Sequence, residues 1–158
     1  MFSTDVELTK VTDMKTFLST WYISVIAAIL CLLPGFVAVK KMKSVREEIQ
    51  SVIRSWDDLA LVKAAINLNM LMGVVFIAEV ALCVCLLGYF RITGSVSLGA
   101  AGGHAMTFSS VLLISARYFR KAENDFRRIR VESNDPQIAS RLERWLKQWK
   151  EPRLRLPD

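Results

Sequence analysis

Histidine is almost missing from this chain, occurring once in 158 residues, as His104. Cysteine occurs three times, as Cys31, Cys83 and Cys85. So small a set offers no third ligand at useful spacing for a zinc-type centre, and Cys83-Val-Cys85 lacks the CxxC spacing. An odd number of cysteines, all inside apolar stretches, excludes a disulfide framework and fits small packing residues. No glycine-rich phosphate loop is present, and no Ser-His-Asp or Cys-His set is convincing. The chain is therefore expected not to be an enzyme, with no catalytic residue, metal or cofactor. One alternative is a haem or pigment ring on His104, since glycines beside it would admit a large ring.

Charge is the second shortage. Three stretches, Phe17–Val39, Ala64–Phe90 and roughly Ile92–Ala116, contain no Lys, Arg or Asp. Only the second contains Glu, at Glu79. Each meets the length of about 20 residues needed to cross a bilayer as a helix. With 53% hydrophobic residues concentrated in these blocks, little remains for a soluble core. The expected fold is an all-α polytopic membrane protein. It has three transmembrane helices plus amphipathic helices on the cytoplasmic side.

In chain order, residues 1–16 form a short polar segment and residues 17–39 the first span. The first span is expected to be retained, because 23 apolar residues exceed a signal-peptide core. Pro34-Gly35 lies about one turn before its end, where a kink is tolerated. Residues 40–63 form a loop in which Val45, Ile49, Val52 and Trp56 share one helical face. Ser44 with Glu47 has capping-box spacing. That helix, 44–56, needs a cover: headgroups, the C-terminal tail or a neighbouring subunit. Asp57 or Asp58 is expected to cap the next helix, which crosses over 64–90 as the central span. A short turn, 91–96, makes 64–90 and 97–117 a hairpin. Residues 118–158 form a basic helical tail. Its second helix starts at Asp135-Pro136 and places Ile138, Leu142, Trp145 and Trp149 on one face. Pro152 is expected to end it, and the Arg153–Pro157 alternation to run extended.

What charge there is lies unevenly. The tail 117–158 carries 12 basic against 7 acidic residues, and the loop 40–63 carries 6 against 4. The positive-inside bias puts both in the cytoplasm and the N-terminus outside. The expected location is a bacterial inner membrane or an organellar inner membrane.

Glu79 is the least expected residue, because a carboxylate in lipid normally faces protein or water. Its own helix face is apolar, so its partner is sought in the third span. Ser109 lies level with it, Ser110 adjoins, and His104 is roughly 7 Å further out along the axis. These four make a candidate ion or proton site or a structural polar pair. Asn67 and Asn69 lie about 200° apart on the helix and cannot serve one partner. Gly99, Gly103, Thr107 and Ser110 form one small-residue row, and Ala101, Ala105 and Ser109 a second, suited to close helix packing.

Partners are expected to be other copies of the chain or other membrane subunits, and anionic lipid headgroups at the cytoplasmic face. Nucleic acid is not expected, since the tail lacks a recognised motif. Trp145, Trp149, Arg127, Arg128, Arg130, Arg141, Arg144 and Lys147 in the tail, with Val45, Ile49 and Trp56 in the loop, are the candidate contact residues. The expected function is that of a non-enzymatic structural or assembly subunit of an oligomeric membrane complex. The alternative is a small oligomeric ion or proton channel with Glu79 at the pore or in a proton path.

Overall fold

The structure is a computed structural model that describes residues 3–149, 151, 155 and 156, with side chains from Thr20 onward. Four helices are present among the described residues: α1 (Ser3–Glu48), α2 (Trp56–Ile92), α3 (Leu98–Arg127) and α4 (Pro136–Gln148). A two-residue strand pair, β1 (Val52–Ile53) with β2 (Arg130–Val131), is the only other regular element among them. Thr20–Glu48 of α1, all of α2 and all of α3 are long and apolar enough to cross a membrane. The fold is thus helical, compatible with a multi-pass membrane protein.

The chain divides into two compact units. The first joins the stretch up to Leu32 with Ala78–Ser115, and the second joins Leu33–Ile77 with the chain from Ala116 onward.

In the first unit α1 touches both other helices. Cys31 of α1 lies with its sulfur 3.7 Å from that of Cys83 on α2. Ser24 and Thr20 of α1 meet His104 on α3. Ala28, Cys31 and Leu32 are buried, as is Ala100 of α3. The helix expected to be central, 64–90, is mostly open: only 6% of its most apolar window is buried, against 39% for α1. The α2–α3 turn is closed by Gly94 at φ +76° and by the Val96 amide donating to the Phe90 carbonyl at 3.2 Å.

The second unit holds a continuous core. Val39, Met42 and Val45 of α1, with Ile49 just after it, pack with Leu59, Val62, Ala65 and Ile66 of α2, with Phe126 and Ile129, and with Ile138, Leu142, Trp145 and Trp149. The loop stripe is therefore covered by the chain's own tail. Gly35 packs under Phe119, where an added Cβ would come within 2.7 Å of the ring.

The expected separate helix over 44–56 does not form. Helix α1 continues through Ser44 and ends at Glu48. The Ser51 amide donates to the Arg46 carbonyl and the Gln50 amide to that of Glu47, the paired bonds of a Schellman cap. Gln50 fills its left-handed position at φ 53°, and Ser51 follows at φ 63°. No Gly or Pro marks this stop. Tertiary pairing drives it: Ile53 is fully buried, and β1 pairs in parallel with β2, Val52 opposite Arg130 and Ile53 opposite Val131.

Helix α2 then starts on a cap different from the expected one. Ser55 Oγ accepts from the Asp58 amide at 3.2 Å, and Asp58 Oδ2 accepts from the Arg54 and Ser55 amides at 2.9 and 3.0 Å. Ser55 is the N-cap and Asp58 closes the capping box behind it. At α4 the expected start holds: Asp135 caps, accepting from the Gln137 amide at 2.9 Å, with Pro136 as first helical residue. The helix ends at Gln148. Pro152 and most of the Arg153–Pro157 segment lie outside the described residues.

Candidate functional site

The polar residues buried in the apolar helices are few. His104 is half-buried on α3. Its Nδ1 lies 2.6 Å from Ser24 Oγ, and its Nε2 lies 3.2 Å from Thr20 Oγ1. Thr20 and Ser24 are four residues apart and so share one face of α1. A neutral imidazole needs one donor and one acceptor partner, and hydroxyls supply either. Both ring nitrogens are thereby engaged, which does not fit an axial bond to a haem or pigment metal. Thr20 and Ser24 were not among the candidate residues, although an i, i+4 hydroxyl pair in an apolar helix is a legible signal.

Glu79 Oε2 is enclosed and has no hydrogen-bond partner among the described residues. Ser109 and Ser110 are exposed, and no hydrogen bond joins either to Glu79 among the described residues. Of the four candidate residues, His104 and Ser109 line one cavity, and Glu79 and Ser110 are not on its wall.

A cavity of about 420 Å³ lies in the first unit, with Leu87 and Phe90 of α2, Ala105 and Ser109 of α3, and Ser24 and His104 along its wall. The second small-residue row thus borders open space rather than a tight α2–α3 seam. In the first row Gly99 and Ser110 are exposed, and Thr107 Oγ1 donates back to the Gly103 carbonyl at 2.9 Å. Ala101 is only half-buried.

The basic, aromatic face of the tail is also changed by the structure. Trp145 and Trp149 are only 5% and 7% exposed, and so are not presented to a partner or to lipid. Trp149 stacks edge-on to Phe126 with 6.0 Å between centroids, and its Nε1 donates to Asn69 Oδ1 at 3.0 Å. Lys63 lies over Trp145, 5.2 Å from its centroid. Arg127 is fastened as well: it pairs with Glu123 at 2.8 Å, donates to the Leu146 carbonyl and covers the Trp149 ring. Val45 and Ile49 are core residues. Trp56 stays half-exposed, but its Nε1 donates to Asp135 Oδ2 at 3.2 Å and Arg141 lies over its ring. Arg128, Arg130, Arg144 and Lys147 remain exposed.

The two asparagines near the start of the second apolar block have a shared task after all. Asn69 holds Trp149, and Asn67 Oδ1 accepts from the Leu156 amide at 2.7 Å. Their different faces reach different points of one tail. Leu156 itself is buried. No family model, curated protein or solved structure matches the chain.

Proposed function

We propose that the chain is a non-enzymatic subunit of a membrane assembly, with the basic loop and tail on the cytoplasmic side and the N-terminus outside. Its partners are further copies or other membrane subunits, and its basic face meets anionic lipid headgroups. The observation that carries this reading is a set of open glycines. Gly73 and Gly88 on α2 and Gly102 on α3 are exposed, and a Cβ added to any of them would meet nothing within 4 Å among the described residues. A glycine inside a helix costs roughly 0.5–1 kcal/mol relative to Ala, and no contact among the described residues repays it at these three sites. In membranes, small residues on an open face let a second helix approach closely. Gly99, one turn from Gly102, is exposed too.

The competing reading is an ion or proton channel through Glu79. The enclosed Oε2 and the absence of Glu79 from the cavity wall favour the assembly. Reconstitution of the full chain into vesicles separates the two. The assembly reading expects no ion or proton flux from either wild type or Glu79→Gln. Flux in the wild type that Glu79→Gln abolishes would establish the channel instead.

A further inference from the structure

Where α1 and α3 leave their apolar stretches, the second unit has a groove of about 290 Å³. Its floor is apolar: Val39, Met42 and Phe126 are 7%, 2% and 2% exposed. Its rim is cationic. Lys43 and Arg46 from α1 and Lys121 from α3 line it, against one acid, Asp125. Lys43 also has Glu47 at 3.8 Å, but both side chains are largely exposed, so that pair is weak and exchangeable. Arg46 uses Nε on Ser51 Oγ at 3.1 Å, one of five donors on a guanidinium that this bond holds in place.

The depth of the groove selects its occupant. Val39 is the last residue of the first apolar block, and Lys40 and Lys41 follow it. Tyr118 on the groove wall joins Phe36 and Phe119 in a ring cluster, with centroids 5.5–5.9 Å apart. Such aromatics mark the membrane–water boundary. Basic pockets between helices at that boundary suit lipid phosphates. A soluble acidic peptide would match the rim but not an apolar floor at the edge of a membrane span.

We propose that this groove binds one anionic phospholipid, its phosphate among Lys43, Arg46 and Lys121 and its acyl chain directed toward Tyr118 and Phe36. The proposal rests on the membrane placement of the assembly reading and not on assembly itself. It moves lipid recognition from the buried tail tryptophans to a site built by α1 and α3.

The test is native mass spectrometry of the full chain in detergent, titrated with phosphatidylglycerol or with phosphatidylcholine of the same acyl chains. The spectra report chain stoichiometry and lipid adducts separately, so failure of the assembly reading and failure of this one are distinguishable. One phosphatidylglycerol per chain is expected to be retained in preference to phosphatidylcholine. Lys43→Gln with Lys121→Gln should weaken that binding about tenfold or more. Arg144→Gln with Lys147→Gln, an equal charge loss on α4, should leave it within about twofold. Millimolar inorganic phosphate should not displace the lipid. Equal retention of both lipids, no loss in the Lys43/Lys121 variant, an equal loss in the Arg144/Lys147 variant, or displacement by phosphate would each overturn the proposal, the last in favour of a soluble-anion site.

Discussion

Asp58 accepts from the Arg54 amide and, with it, the Ser55 amide, and these bonds draw its carboxyl below the ordinary value of 3.8. A depressed pKa in the folded state contributes stability that is fully present above the unfolded value and is lost as pH falls through the folded one. The stability advantage of wild type over Asp58→Asn is therefore expected to be constant above pH ~5 and to shrink below pH ~4, as followed by thermal unfolding in detergent at several pH values. An advantage that persisted unchanged at pH ~2.5 would remove Asp58 from the cap. Gln50 makes the opposite kind of prediction. A non-glycine residue at positive φ costs about 1–2 kcal/mol, partly offset by the greater chain entropy that glycine loses on folding. Gln50→Gly should thus stabilise the fold by about 0.5–1 kcal/mol, seen as a rise in Tm; a fall would place the strain elsewhere.

Among the elements, α1 has the largest role, and this was the least legible part of the fold. The three apolar stretches, the α4 cap at Asp135 and the buried face Ile138–Leu142–Trp145–Trp149 could all be read from composition and helical spacing. The end of α1 could not. Ser44 and Glu47 look like a helix start, yet local capping chemistry lost to the burial of Ile53 and the pairing of β1 with β2. Strand pairs between residues nearly 80 positions apart leave no local period to detect. The polar contacts within the spans were hidden for a related reason. Depth along adjacent helices sets Ser109 level with Glu79, but depth says nothing about helix rotation, and His104 turns to Ser24 and Thr20 on α1. The contact of α1 with α2 has its own check. Oxidation of the full chain in membranes with a permeant diazene should join Cys31 to Cys83, each thiol losing a hydrogen as the diazene is reduced to a hydrazine. Thiol counting after denaturation should then find one thiol per chain, that of Cys85. Three remaining thiols per chain would contradict the 3.7 Å approach.

For the whole molecule, the two units divide the work. The second buries Phe126, Trp145 and Trp149 and ties loop to tail through Asn67, Asn69 and the strand pair. The first leaves its stretches of α2 and α3 largely uncovered, with Gly88 and Gly102 on faces open among the described residues, and Gly73 is a like position in the second. Substituting those glycines leaves the single chain room for a larger side chain while denying a second helix its close approach. The most direct measurement is the mass of the protein in a mild detergent for wild type, for Gly102→Leu, and for Gly73→Leu with Gly88→Leu. Each is paired with a thermal unfolding curve. The account predicts a wild-type particle larger than one 17.9 kDa chain, and a shift to the single chain in at least one glycine variant with the unfolding midpoint retained. A wild-type protein that runs as a single chain, or an assembly unchanged in both variants, would contradict it.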